Sequence, residues 1–68
     1  MIKAILRATN FGRSVFFEMR RDGKLTVSLV DEHTIPLGRV VLPCDKQNEE
    51  AIAEAINTMV EATTWPHF

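Results

Sequence analysis

Residues 2–8, IKAILRA, alternate along the chain: Ile2, Ala4, Leu6 and Ala8 fall on one face of an extended backbone, and Lys3, Ile5 and Arg7 on the other. Read with a period of two, the stretch is a half-buried strand, and the elements that follow are arranged around it. Residues 13–20 repeat the pattern, with Val15, Phe17 and Met19 on one side and Ser14, Phe16, Glu18 and Arg20 on the other. Residues 24–30 place Leu25, Val27 and Leu29 inward and Lys24, Thr26, Ser28 and Val30 outward. All three segments are strand-like in composition.

The turn between the second and third strands follows from the core. A two-residue turn at Asp22-Gly23 would set Met19 against Thr26 and Phe17 against Ser28, mixing apolar and polar side chains on both faces, which register forbids where one face is buried. A three-residue loop, Arg21-Asp22-Gly23, pairs Met19 with Leu25, Phe17 with Val27 and Val15 with Leu29. Such a loop is a type I turn followed by a left-handed glycine in a bulge. It also puts Arg20 opposite Lys24, like charges that repel across a strand pair, with Arg21 a third cation and Asp22 the one offset.

For the first two strands, pairing Leu6 with Val15 and Ala4 with Phe17 leaves Thr9-Asn10-Phe11-Gly12 as a loop. The outer face then carries Ile5, Phe16 and Val30 as an apolar patch, rimmed by Lys3, Arg7, Arg20 and Lys24.

The second half is simpler. Residues 35–42 form a fourth strand that Pro36 confines to an edge, and Pro43 ends it. Asp45 caps a helix over about residues 46–63, whose apolar stripe is Ile52, Ala55, Ile56, Met59, Val60 and Thr63 and whose polar side is Glu49, Glu50, Glu54, Asn57 and Glu61. Residues 64–68 are a tail with Trp65 and Phe68 against the core edge. The expected fold class is α+β: a four-stranded antiparallel β-meander with one C-terminal amphipathic helix on one face (ββββα), as a single domain over 1–68.

Sixty-eight residues with 46% apolar and 25% charged content are an ordinary globular chain. A domain of this size buries only about 60% of the surface its unfolded chain exposes, and the lone Cys44 and two distant histidines supply neither a disulfide nor a zinc site. Self-association is the remaining source of stability, so a homodimer is expected, joined edge to edge near Ile35 to Leu42 or face to face. No apolar run reaches the roughly 18 residues of a membrane span, and Lys3, Arg7 and Arg13 interrupt any signal-peptide core, so the chain reads as cytoplasmic with no membrane partner. Residues 1–30 carry six cations against two carboxylates, net +4; residues 31–68 carry two against seven, net −5.

Catalysis needs a nucleophile, base and orienting group in a cleft, which a single layer pair of this size hardly provides, so no catalytic residue, cofactor or metal is expected. Asp31, Glu32 and His33 are consecutive in a loop, without the spacing of ligand pairs, and Cys44 reads as a connector. Four strands followed by a helix resemble the dimeric single-strand-binding domain of the transcriptional coactivator PC4 family, and the short self-contained chain is similar to small inhibitors of phages and plasmids. These likenesses lie in element order and size and imply no site residue.

The functional expectation is a small non-catalytic interaction module, an inhibitor or accessory subunit. It would bind an unidentified protein through Ile5, Phe16, Val30, Arg20, Arg21 and Lys24. The alternative is weak, sequence-tolerant binding of single-stranded nucleic acid, with Lys3, Arg7, Arg20, Arg21 and Lys24 on phosphates and Phe16 stacking on a base.

Overall fold

The computed structural model describes residues 1–63. The expected packing of Trp65 and Phe68 lies outside the described residues. The element order is α1 (Ile2–Asn10), β1 (Ser14–Met19), β2 (Leu25–Val30), β3 (Pro36–Leu42), a 3-10 turn (Cys44–Lys46) and α2 (Glu49–Thr63). The sheet is three-stranded and antiparallel in the order β1-β2-β3.

The strand expected over residues 2–8 is therefore a helix, and the four-stranded ββββα meander is corrected to αβββα. The physical reason lies at both ends of the spacing argument. Ala4 and Ala8, four residues apart, are the buried positions of α1, and their small side chains let the helix approach α2 closely. The glycine read as a hairpin residue is a helix terminator: Gly12 has φ +74, its N–H donates to Thr9 O at 2.9 Å, and Arg13 N donates to Ala8 O at 2.9 Å. This six-to-one plus five-to-two pair is a complete Schellman motif, which caps the last carbonyls of α1. Nine residues do not hold a helix in water by themselves. Tertiary contacts do so here, including Arg7 Nη1 donating to Asn57 Oδ1 at 3.1 Å on α2. With no strand at 2–8, the likeness in element order to the single-strand-binding coactivators is lost.

The β1–β2 register is the expected one, with Met19 opposite Leu25, Phe17 opposite Val27 and Val15 opposite Leu29. β3 pairs Leu42 with Leu25 and Val40 with Val27, with an irregularity at Leu29/Val30. α2 lies over β2 and β3, and α1 lies beside it over β1, so both helices share one face of the sheet. Val27, Leu29, Ile56 and Val60 are the largest fully buried side chains, each worth about 1.5–3 kcal/mol relative to exposure. Gly38 of β3 faces α2 so closely that an added Cβ would lie 3.3 Å from Met59 Sδ.

The cap of α2 also differs from expectation. Asn48, not Asp45, accepts from the Ala51 N–H at 2.9 Å, so the helix starts three residues later and Cys44–Lys46 form a separate turn. Arg13 joins the C-terminal ends of both helices: its guanidinium donates to Phe11 O at 3.1 Å and to Thr63 O at 3.2 Å, meeting the negative ends of the helix dipoles.

The β2–β3 turn is built on Asp31, whose Oδ1 accepts from His33 N at 2.8 Å and Ile35 N at 2.9 Å. The Ile35 N–H, ahead of that of His33 and the nearby His33 and Arg13 charges, holds the Asp31 carboxyl below its ordinary range. A depressed folded pKa adds stability above the unfolded value that is lost as pH falls through the folded one. Asp31→Asn should therefore be less stable than the parent near neutral pH, with the gap closing on titration below about pH 4; urea titrations of both proteins across that range measure it. Thr34 in the same turn has φ +64, a strained conformation for a β-branched residue that costs about 1–2 kcal/mol. Thr34→Gly should raise the urea midpoint by the equivalent of about 0.5–1 kcal/mol after the glycine's own entropic cost.

Candidate functional site

The side chains at alternate positions of each strand point away from the helices and form an open outer face. Its rows follow the register: Phe16, Ser28 and Arg39 across the three strands, and Glu18, Thr26 and Val41 beside them. Ser28 is small, so Phe16 and Arg39 flank a shallow concavity that Glu18, Arg20, Thr26, Val30 and Pro36 also line. Phe16 is 52% exposed, while Val30 is buried within this floor.

The hairpin tip borders this face. Gly23 N donates to Arg20 O at 3.0 Å and Arg20 N to Lys24 O at 2.8 Å, which is the expected type I turn, and Gly23 takes φ +86 as the bulge residue. Asp22 offsets one cation, as expected: its Oδ2 lies 3.2 Å from Arg20 Nη2, while its Oδ1 accepts from the neutral Lys24 backbone N–H at 3.0 Å. Arg21 and Lys24 remain exposed. The tip is also fastened from below. The Gln47 amide donates to Gly23 O at 2.6 Å and the Cys44 thiol donates to the same oxygen at 3.2 Å.

Of the expected site residues, the fold brings Phe16, Val30, Arg20, Arg21 and Lys24 to this face or its border. Ile5, Lys3 and Arg7 are not there. All three stand on α1, on the other side of the sheet; Ile5 is half-buried against the core, and Arg7 is turned toward Asn57 and toward Glu61, 3.4 Å away. Arg39 was missed, because its face depends on the β3 register, which Pro36 and Gly38 leave open in the sequence; its spacing from the inward Val40 was the available signal.

Cys44 is a fastening residue in the geometry, and His33 lies at an exposed turn with Nε2 4.0 Å from Glu32 Oε1. Among the described residues no group of three His, Cys, Asp or Glu side chains is placed to hold a metal, and no helix is long and apolar enough to cross a membrane. The chain matches no family model, no curated protein and no solved structure.

The fastening of the tip is testable. A Cβ at Gly23 would lie 3.0 Å from Cys44 Sγ on a backbone that side chains rarely adopt. Gly23→Ala should lose about 1–2 kcal/mol, lowering the thermal midpoint by roughly 4–8 °C per kcal/mol in calorimetry; an unchanged midpoint would mean the tip is not held there.

Proposed function

We propose that this chain is a non-catalytic interaction module that binds an acidic surface of another protein through its outer sheet face and hairpin tip, as an inhibitor or accessory subunit. The observation that carries the reading is the row Phe16, Ser28, Arg39: an exposed aromatic ring and a cation on either side of a small central residue on an uncovered sheet, next to the cations of the hairpin tip. An apolar centre with a charged border is the usual anatomy of a protein interface, and a rigid hairpin limits the entropy lost on binding.

Single-stranded nucleic acid is the second reading, supported by the same aromatic between cations. With Lys3 and Arg7 on α1, the face and tip retain Arg20, Arg21, Lys24 and Arg39, against Glu18 and Asp22. That charge balance favours a folded acidic partner over a polyphosphate chain.

Two measurements separate the readings. In a pull-down with the tagged chain, Phe16→Asp combined with Arg39→Glu should abolish capture of the partner with an unchanged circular dichroism spectrum; retained capture counts against the proposal. A fluorescein-labelled oligonucleotide should show no anisotropy change at about 50 mM salt. Binding there with a log-log salt slope near −3, about −0.7 for each of four phosphates, would move the assignment to nucleic acid.

A further inference from the structure

The two edges of the sheet are protected differently. The β3 edge has Pro36, which lacks an N–H, together with Gly38, the charged Arg39 and an irregular register at Leu29/Val30. Those are the usual devices against strand addition. The β1 edge, Ser14–Met19, has no proline, glycine or irregularity, and Glu18 is its one charge. Because Arg20 N bonds to Lys24 O, ladder alternation assigns Glu18, Phe16 and Ser14 to β2 and leaves the backbone groups of Val15, Phe17 and Met19 facing the open edge.

Apolar side chains lie along that same edge. Met19 is 61% and Phe17 45% exposed although both belong to the helix-covered face. On α1, which lies over β1, Ile2 is 73% and Leu6 56% exposed. Arg7 and the buried Ala4 and Ala8 mark the flank of α1 turned toward α2 and the core, so Ile2 and Leu6 stand on the flank turned away from α2. The two sets therefore border the same side of the molecule.

We infer that a second copy of this chain occupies this side, its β1 pairing antiparallel with β1 about a two-fold axis at Phe17 and its α1 flank meeting the α1 flank. In this register Phe17 faces the partner's Phe17 and Val15 faces the partner's Met19, so every pair on the helix side is apolar. On the outer face Phe16 faces the partner's Glu18 and Ser14 faces the partner's Arg20, with no like charges directly opposed. Centring the axis on Glu18 would set two carboxylates against each other, and centring it on Phe16 would set the inward Met19 against the partner's Arg13. The exposed fractions of Ile2, Leu6, Phe17 and Met19, applied to side chains of about 150–250 Å², give roughly 450 Å² of apolar surface per protomer, over half of the ~800 Å² per partner in a standard interface. The product is a six-stranded sheet with four helices on one face. Its outer face stays open, so the inference does not depend on the proposed function.

Sedimentation velocity on the full chain from about 5 to 100 µM tests it, since a dimer's mass depends on concentration. The expected species is twice the 7.7 kDa chain. Leu6→Glu and Met19→Lys, each at an exposed position, should separately raise the dissociation constant at least about 100-fold with unchanged circular dichroism, because each places an unpaired charge in the interface. Ile35→Glu, beside the β3 edge, should leave it unchanged. In a Cys44→Ser background, Phe17→Cys should form a disulfide dimer on mild oxidation, as a directly opposed antiparallel pair lies about 5.5 Å apart between Cα atoms. A monomer at 100 µM, a dimer insensitive to both Leu6→Glu and Met19→Lys, or a dimer lost with Ile35→Glu would overturn the assignment.

Discussion

The rest of the structure depends on covering one face of the central strand. β2 is buried at five of its six positions, with Val27 and Leu29 fully removed from water, and a three-stranded sheet cannot cover its own middle. α2 supplies Ile56, Met59 and Val60 over β2 and β3, approaching closely where Gly38 has no side chain. α1 extends that layer toward β1. Because both helices are on the same side, the other side of the sheet stays open, and the candidate surface follows from that asymmetry.

The loops are held by polar groups that serve more than one bond. Gly23 O takes both the Gln47 amide and the Cys44 thiol, Asp31 Oδ1 takes two backbone N–H groups, and Arg13 joins the carboxyl ends of both helices. In a molecule with few buried side chains, such shared acceptors and donors fix turn geometry without a disulfide or a metal. The backbone that presents the cationic tip is consequently fixed. Asp22 pairs with Arg20 there, which lessens the repulsion between Arg20 and Lys24.

Much of the site was legible in the sequence because strands have a period of two and one buried face. Once Val27 and Leu29 are taken as core, Phe16, Ser28, Arg20 and Lys24 must point outward and the tip must have three loop residues. The same logic placed Ile5, Lys3 and Arg7 on the face, wrongly, since it assumed extended backbone for residues 2–8. Arg39 was hidden for a different reason: Pro36, Gly38 and the irregularity beside them break the alternation from which its side would be read.

The β1–β2 register, the left-handed glycine of the tip and the apolar stripe of α2 can all be read from the chain before it folds. Each is a local consequence of side-chain period or backbone sterics. The conformation of residues 2–10 is set by long-range contacts instead. A short apolar segment satisfies both a period of two and a period of 3.6, and its choice rests on energies from outside itself. Burial of Ala4 and Ala8 near α2, the Arg7–Asn57 bond and the Schellman closure at Gly12 favour the helix. That choice moved three expected site residues across the sheet and left β1 as a free edge.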